Sequence, residues 1–377
     1  MADIKLARRL GKLRELTGLT LNEAADKLGF PSYQTLSKIE NGEREVKASE
    51  LPLFAKIYYC SLSSLLGEKV ETTPAALLWR NPPEKEKKKK IERQIFYLCE
   101  QYHLLETLLG LKEEEKFRFL SVSKDDLRTN RGVDRLADNT IKLIGLGKRP
   151  AFSLQKVLEQ EFGVKILYLP LSSVGSAASM IHDEFGAIVV INSDEAPWRR
   201  NYDFAHELFH LITWNAVSLV DLQDSSSLRD DIERKADRFA SNLLLPGDEI
   251  KEEISKRLEK QKTFTYSDIV DISREFGVST AALLYRMANL GFIEWEYADK
   301  IAKEVVARDG SIRRKEWGER PVSERFYFLA VRCLRKGLIS RGKFSEIVEV
   351  DRSAVDEFVN NFGLMETEGA TVKVMAS

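Results

Sequence analysis

Two histidines four residues apart, with a glutamate directly after the first, are the most chemically pointed feature of this chain. Phe204-Ala205-His206-Glu207-Leu208-Phe209-His210-Leu211 carries the pattern HExxH on an apolar background. On a helix, positions i and i+4 share a face, so both imidazoles reach one metal ion about 2 Å away. Glu207 then sits where its carboxylate meets the attacking water rather than the metal. The chain holds only four histidines, so the bland reading, two core histidines beside a surface glutamate, asks half of them to fall into this pattern by accident. A catalytic zinc needs a third protein ligand and keeps a fourth position open. The candidate is Glu233 in Ile232-Glu233-Arg234-Lys235-Ala236-Asp237-Arg238-Phe239-Ala240. Glu233 and Asp237 are four apart and project from one helix face, so one can ligate while the other accepts a hydrogen bond from a ligand histidine. Ala236 and Ala240 are small enough to let that helix approach the HExxH helix closely. In the competing reading Glu233 is a surface partner of Arg229 or Lys235, and Glu207 or His182 takes the third ligand position.

The chemistry that fits is peptide hydrolysis, with the metal polarising the carbonyl and Glu207 moving the proton from water to the leaving amine. Zinc is the expected ion, one per chain, because His, His and Glu form a borderline-soft set with one open position; manganese or another divalent ion is the alternative. A peptide would pair along the edge of the strand 187–192, just before the HExxH helix. Tyr202, His182 and Arg199 are the candidates for stabilising the oxyanion.

Elements must position these groups. The chain has 377 residues, enough for two or three domains, and its 43% hydrophobic and 31% charged residues exclude a mainly disordered chain. Lys plus Arg is 58 against Asp plus Glu 59, so any DNA contact must come from a local patch. No apolar run approaches a membrane span, Met1-Ala2-Asp3-Ile4 begins no signal peptide, and Cys60, Cys99 and Cys333 are too far apart for a disulfide framework or a cysteine zinc site. The expectation is a cytoplasmic protein with no membrane partner.

Residues 1–70 read as a run of short helices. Leu6, Leu10 and Leu13 share a face, Thr20 and Glu23 form a capping box, Ser32 caps a helix from Tyr33 to Ile39, and Asn41-Gly42 ends it. Residues 71–123 form a linker with an amphipathic helix. It is broken by Asn81-Pro82-Pro83, followed by a charged run, and then Ile91, Ile95, Leu98, Tyr102, Leu105 and Leu109 alternate at four- and three-residue spacings. That seam packs either on its own domain or as a homodimer coiled coil. From 124 to 295, helices precede strands at 164–169 and 186–192, and helices follow at 198–213, 230–244, 266–276 and 279–290. Residues 296–377 are a helical C-terminal region, with helices at 323–336 and 352–361 and a turn into a capped helix at 338–344. The fold class expected is multidomain and mainly α, with a small-sheet α+β zincin-like domain in the middle.

With these residues in place, the stretch from 130 to 290 resembles the ImmA/IrrE family of zinc-dependent metallopeptidases. The resemblance runs through the strand ending Ile191-Asn192, Arg199, Tyr202-Asp203-Phe204-Ala205-His206-Glu207, Glu233-x-x-Ala236-Asp237-x-Phe239-Ala240 and Leu243-Leu244-Leu245-Pro246. It implies His206, His210 and Glu233 as metal ligands and Glu207 as catalytic base. Phe209 stands where many relatives have Gly, and Asp203, where many have Thr, adds a negative charge close to the metal. Residues 1–67 look like a helix-turn-helix domain of the XRE (Cro/repressor-like) class, matching at Leu13-Arg14-Glu15-Leu16, Leu21 to Gly29, and Leu36-Ser37-Lys38-Ile39-Glu40-Asn41-Gly42. Such domains place the start of the third helix in the major groove, so Ser32, Tyr33, Gln34, Ser37 and Lys38 would face double-stranded DNA. The combined expectation is a zinc metalloendopeptidase fused to an operator-reading domain, cleaving a helix-turn-helix repressor or antitoxin in a stress or mobile-element response. The alternative is a transcription regulator whose peptidase-like domain only senses a ligand, metal or partner.

Overall fold

Capping residues punctuate the N-terminal run into five helices: α1 (Ile4–Leu16), α2 (Leu21–Leu28), α3 (Tyr33–Glu40), α4 (Leu51–Ile57) and α5 (Leu62–Leu66). The computed structural model describes residues 3–67, 77–80, 84–111, 122–171, 175–217, 225–261, 263–312 and 321–363. Thr20 and Glu23 close the expected capping box, and Gly29, at φ +72°, ends α2 in the left-handed conformation that starts the turn into α3. Ser32 precedes α3 as its N-cap residue but makes no capping hydrogen bond through its side chain. Leu10, Leu13, Leu28, Leu36, Ile39, Phe54 and Tyr58 form the core of this unit. The Arg14 guanidinium clamps α1 to the end of α3 through bonds of 2.8 and 3.0 Å to Glu40.

The rest of the chain supplies β1 (Leu78–Trp79), α6 (Lys85–Leu108), α7 (Asn130–Leu143), α8 (Pro150–Gln160), β2 (Lys165–Leu169), β3 (Ala177–His182), β4 (Gly186–Asn192), α9 (Pro197–Thr213) and α10 (Ser226–Leu244). Then follow α11 (Gly247–Gln261), α12 (Tyr266–Glu275), α13 (Thr280–Asn289), α14 (Trp295–Ile312), α15 (Glu324–Arg335), α16 (Arg341–Val348) and α17 (Val355–Gly363). The sheet has the order β1-β3-β4-β2, with β2 parallel to β4, and β3 antiparallel to both β4 and β1. β2 and β4 lie within the expected strands 164–169 and 186–192. β4 is flanked on both sides, however, so the expected pairing of a peptide along 187–192 has no free edge to use.

The sheet is covered on both faces, and the alternation along each strand divides two cores. Ile166, Ala177, Ala187, Val189 and Ile191 join the core built with α7 to α14. Leu167, Leu169, Ala178, Met180, Ile188 and Val190 face a second core with α6 and the C-terminal helices α15 to α17. The apolar seam of α6 is therefore buried inside the chain: Ile95, Cys99, Tyr102 and Leu105 are all inaccessible. A buried charge cluster joins the same elements. Lys165 Nζ lies 2.9 Å from Glu106 and donates to the Phe185 carbonyl at 2.6 Å, while Arg325 reaches Glu106 at 2.8 Å and the Tyr102 hydroxyl at 2.9 Å. The three cysteines are buried free thiols. Among the described residues no helix is long and apolar enough to cross a membrane. The expected break at Asn81-Pro82-Pro83 and the boundary at 70/71 lie outside the described residues.

Candidate metal centre and active site

The HExxH helix is buried on all sides because every residue from Asp203 to Thr213 faces one of its neighbours. Pro197 stands in its first turn, where a missing N–H is harmless. α10 crosses it with Ala236 and Ala240 fully buried, as their size suggested. Arg238 fixes α10 to α7 through two bonds to Asp134 at 2.6 and 2.7 Å, and the Tyr202 hydroxyl donates to the Asp237 carbonyl at 2.9 Å. The approach of the two helices is thus set on both flanks of the site.

Between the helices three donor groups converge. His206 Nε2 is 3.1 Å from His210 Nε2 and 3.1 Å from Glu233 Oε2, and His210 Nε2 is 3.4 Å from Glu233 Oε1. All three ligand atoms lie within 4.8 Å of one another. Donors at the corners of a tetrahedron with bonds of about 2 Å stand roughly 3.3 Å apart, so this triangle fits a zinc-sized ion. The donor chemistry fits as well. Glu233 is not the surface partner of Lys235, which pairs instead with Asp231.

Asp237 accepts from His206 Nδ1 at 3.0 Å, which leaves Nε2 of that ring turned toward the other donors. Burial alone would lower the His206 pKa, but the hydrogen bonds to Asp237 and Glu233 outweigh it and raise it to about 9. Burial and the positive charge of His206 push His210 down to about 3. Glu233 and Asp237 are both held below the usual carboxylate range, because their bonds to His206 overcome the effect of burial.

Glu207 is fully buried beside this triangle. Its Oε2 accepts a 2.6 Å hydrogen bond from Ser179 Oγ on β3, and its Oε1 has no protein partner among the described residues. Burial raises its pKa to about 7 against the opposing charge of His206. Ser179 was not among the expected residues, and nothing local in Ala177-Ala178-Ser179-Met180 signals its part.

Asp203, expected to add a negative charge close to the metal, does not stand alone. Arg80, next to β1, ion-pairs with it and also donates to Asp237 Oδ1 at 2.9 Å. The guanidinium lies 5.2 Å from the centre of the Tyr202 ring. Asp203 is fully buried, and burial raises its pKa against the pull of Arg80 and Arg199. Arg80 lies 123 positions before Asp203, so no spacing pattern could reveal it.

The oxyanion candidates fare unequally. His182 is stacked on Phe185 at 4.3 Å and its Nδ1 accepts from the Glu184 and Phe185 amides, so it shapes the β3–β4 turn. The Tyr202 hydroxyl is engaged by Asp237, and Arg199 lies 3.8 Å from Asp203 with its side chain half exposed. At the N-terminal unit, Ser32, Tyr33, Gln34 and Lys38 are exposed and Ser37 is partly so, while Leu36 and Ile39 between them are buried. The start of α3 therefore presents a polar face.

Residues 159–288 match the family model of the IrrE N-terminal-like domain, peptidase M78, and residues 5–63 match that of a helix-turn-helix domain. No curated protein matches the chain significantly. Motif, geometry and family matches agree in order along the sequence: this chain carries an N-terminal helix-turn-helix domain followed by an IrrE N-terminal-like domain of the peptidase M78 family.

Proposed function

We propose that the chain is a zinc-dependent endopeptidase with a fused DNA-binding domain, and that it cuts a transcriptional repressor or antitoxin in a stress or mobile-element response. The observation that carries this reading is the donor triangle of His206, His210 and Glu233 with Glu207 beside it, one carboxylate oxygen anchored and the other open. A sensor would need the triangle but not the base.

An ion held by these three residues supplies Lewis acidity, activating water and polarising the scissile carbonyl. The remaining work falls to the chain. Asp237 orients His206 through Nδ1. Ser179 fixes Oε2 of Glu207, which leaves Oε1 to take a proton from the attacking water and return it to the leaving amine. α9 and α10 exclude bulk water around His206 and Glu207, which strengthens each electrostatic contact there.

Ser32, Tyr33, Gln34, Ser37 and Lys38 would read the operator, with Gln34 suited to adenine and Lys38 to guanine or phosphate. The test compares new protein N-termini in cells expressing the wild type or Glu207→Gln, with and without DNA damage. A fragment that appears only with the wild type identifies substrate and cut site. Identical termini under both conditions, together with promoter control unaffected by Glu207→Gln, would instead establish the sensor reading.

A further inference from the structure

We propose that the outer edge of β3 is the peptide-binding site of this enzyme and that residues 77–80 are its resident ligand. A substrate would be an extended segment with an apolar residue two positions before an arginine, and it would bind by displacing this strand. The proposal rests on the peptidase reading above and names its substrate class.

The sheet topology is the first ground. Of the strands within the region 159–288, β3 is the outer one on the side of the catalytic base, since its Ser179 holds Glu207. β1 covers that edge, yet it comes from outside both family matches and contributes only two paired residues. It runs antiparallel to β3, with Leu78 opposite Ser179 and Trp79 opposite Ala178, and the Arg80 amide donates to the Ala177 carbonyl at 3.2 Å. Residues directly opposite in such a pair share a face of the sheet. Leu78 therefore stands on the same face as Ser179, and neighbouring strands lie about 4.8 Å apart. This places the backbone of the linker beside the group that anchors the base.

The second ground is the arginine receptor. Arg80, two residues on, returns to the same face and meets Asp203 and Asp237. Asp203 is fully buried. A buried carboxylate without a cationic partner is strongly destabilising, so the pocket is built to hold a guanidinium. Trp79 points to the opposite face, where its Nε1 donates to Glu92 at 3.0 Å. The segment is held by two paired residues, by Leu77 and Trp79 against the second core, and by one arginine. The pairing itself is short, and short pairings are only marginally stable, so an exogenous strand can compete for the edge. The segment lies between the helix-turn-helix domain and the peptidase domain, so the occupant of the edge is part of the connection between them.

The test uses the full-length chain, zinc-free and carrying Glu207→Gln, so that binding is read without cleavage. The probe is a fluorescent synthetic peptide with the sequence of residues 74–84, followed by anisotropy. Chains with the native linker are compared with Trp79→Ala, which loosens the segment from the far face, and with Leu78→Gly/Arg80→Ala, which removes its side chains. Binding at least tenfold tighter by the loosened chains is expected, with a loss of at least tenfold when the peptide carries glutamate in place of its arginine. Asp203→Asn combined with Trp79→Ala should erase that preference. Equal affinity for native and loosened chains, no saturable binding by a loosened chain, or indifference to the peptide's arginine overturns the proposal. If the double variant does not fold, Trp79→Ala carries the comparison alone. Expected binding by a chain that, zinc-loaded and with Glu207 intact, cleaves nothing would remove the peptidase reading and keep the strand site. Cleavage in cells without peptide binding would do the reverse.

Discussion

Ser179 on β3 and Glu207 on α9 are joined by a 2.6 Å hydrogen bond, both side chains fully buried. The hydroxyl makes a carboxylate with one open oxygen out of one that would otherwise rotate.

Ser179→Ala should therefore lower kcat about tenfold, a fraction of the 10²–10⁴ that a general base typically supplies. Zinc content should be unchanged. Kinetics on the identified substrate, with metal analysis of the same preparation, checks this; an unaltered kcat would show that Glu207 is positioned without the serine.

Metal affinity should separate the two acidic residues of α10. If the donor triangle holds zinc, Glu233→Gln removes one of its three donors and should abolish stoichiometric zinc at micromolar free metal. Asp237→Asn leaves all three ligands but weakens the hold on His206, and should cost about 10–100-fold in affinity. Competition with a chromogenic chelator reads both. Equal losses would mean that Asp237 is not merely orienting.

A pH-dependent stability change is expected from Glu159 on α8, far from the metal ligands in sequence. Burial raises its pKa from 4.5 to about 7, opposed by Arg325, and its Oε1 has no hydrogen-bond partner among the described residues. The folded state thus holds its proton longer than the unfolded state does. Its contribution is fully present below pH 4.5 and is lost as pH rises to about 7. Glu159→Gln should remove that slope and stabilise the chain by about 1–3 kcal/mol at pH 8 relative to pH 4.5. Urea denaturation of both proteins at the two pH values measures the difference, and a pH-independent gap would refute it.

Lys165→Met should destabilise strongly. It leaves Glu106 buried with Arg325 as its remaining charged partner, and breaking a buried pair from one side costs about 3–5 kcal/mol. Adding Glu106→Gln should recover part of the loss. Denaturation midpoints of the single and double variants decide it.

On operator DNA, Gln34→Ala should relax base preference at one position, while Lys38→Ala should weaken all sequences more evenly and lower the salt slope by about 1 if it contacts phosphate. Binding isotherms at several salt concentrations separate the two.

What could be read from the sequence was local and periodic. His206 and His210 are one helical turn apart, as are Glu233 and Asp237, so each pair declares a shared face before any fold is known. β4 is visible because both its faces are buried and its residues are β-branched. β3 is not, since Ala177-Ala178-Ser179-Met180 has no strand signature, and β1 is two residues long. The groups that reach the site from those strands, Ser179 and Arg80, were hidden for the same reason. The order of the strands was equally hidden, because an edge is a property of the assembled sheet. Of the cations beside Asp203, Arg199 is one helical turn away and within reach of spacing arguments, whereas Arg80 is distant along the chain.

The two-faced burial of the sheet has a consequence for how this protein comes into being. One face is closed by a helix made before most of the strands and by helices made after them, from Phe326 to Val355. A chain emerging from the ribosome can form its helix-turn-helix core early. Until those later helices arrive, Leu167, Met180, Ile188 and Val190 have only part of their cover on that face, most of it from α6. Synthesis thus imposes its own delay: the helix-turn-helix domain can be complete while the peptidase-like domain is still being finished.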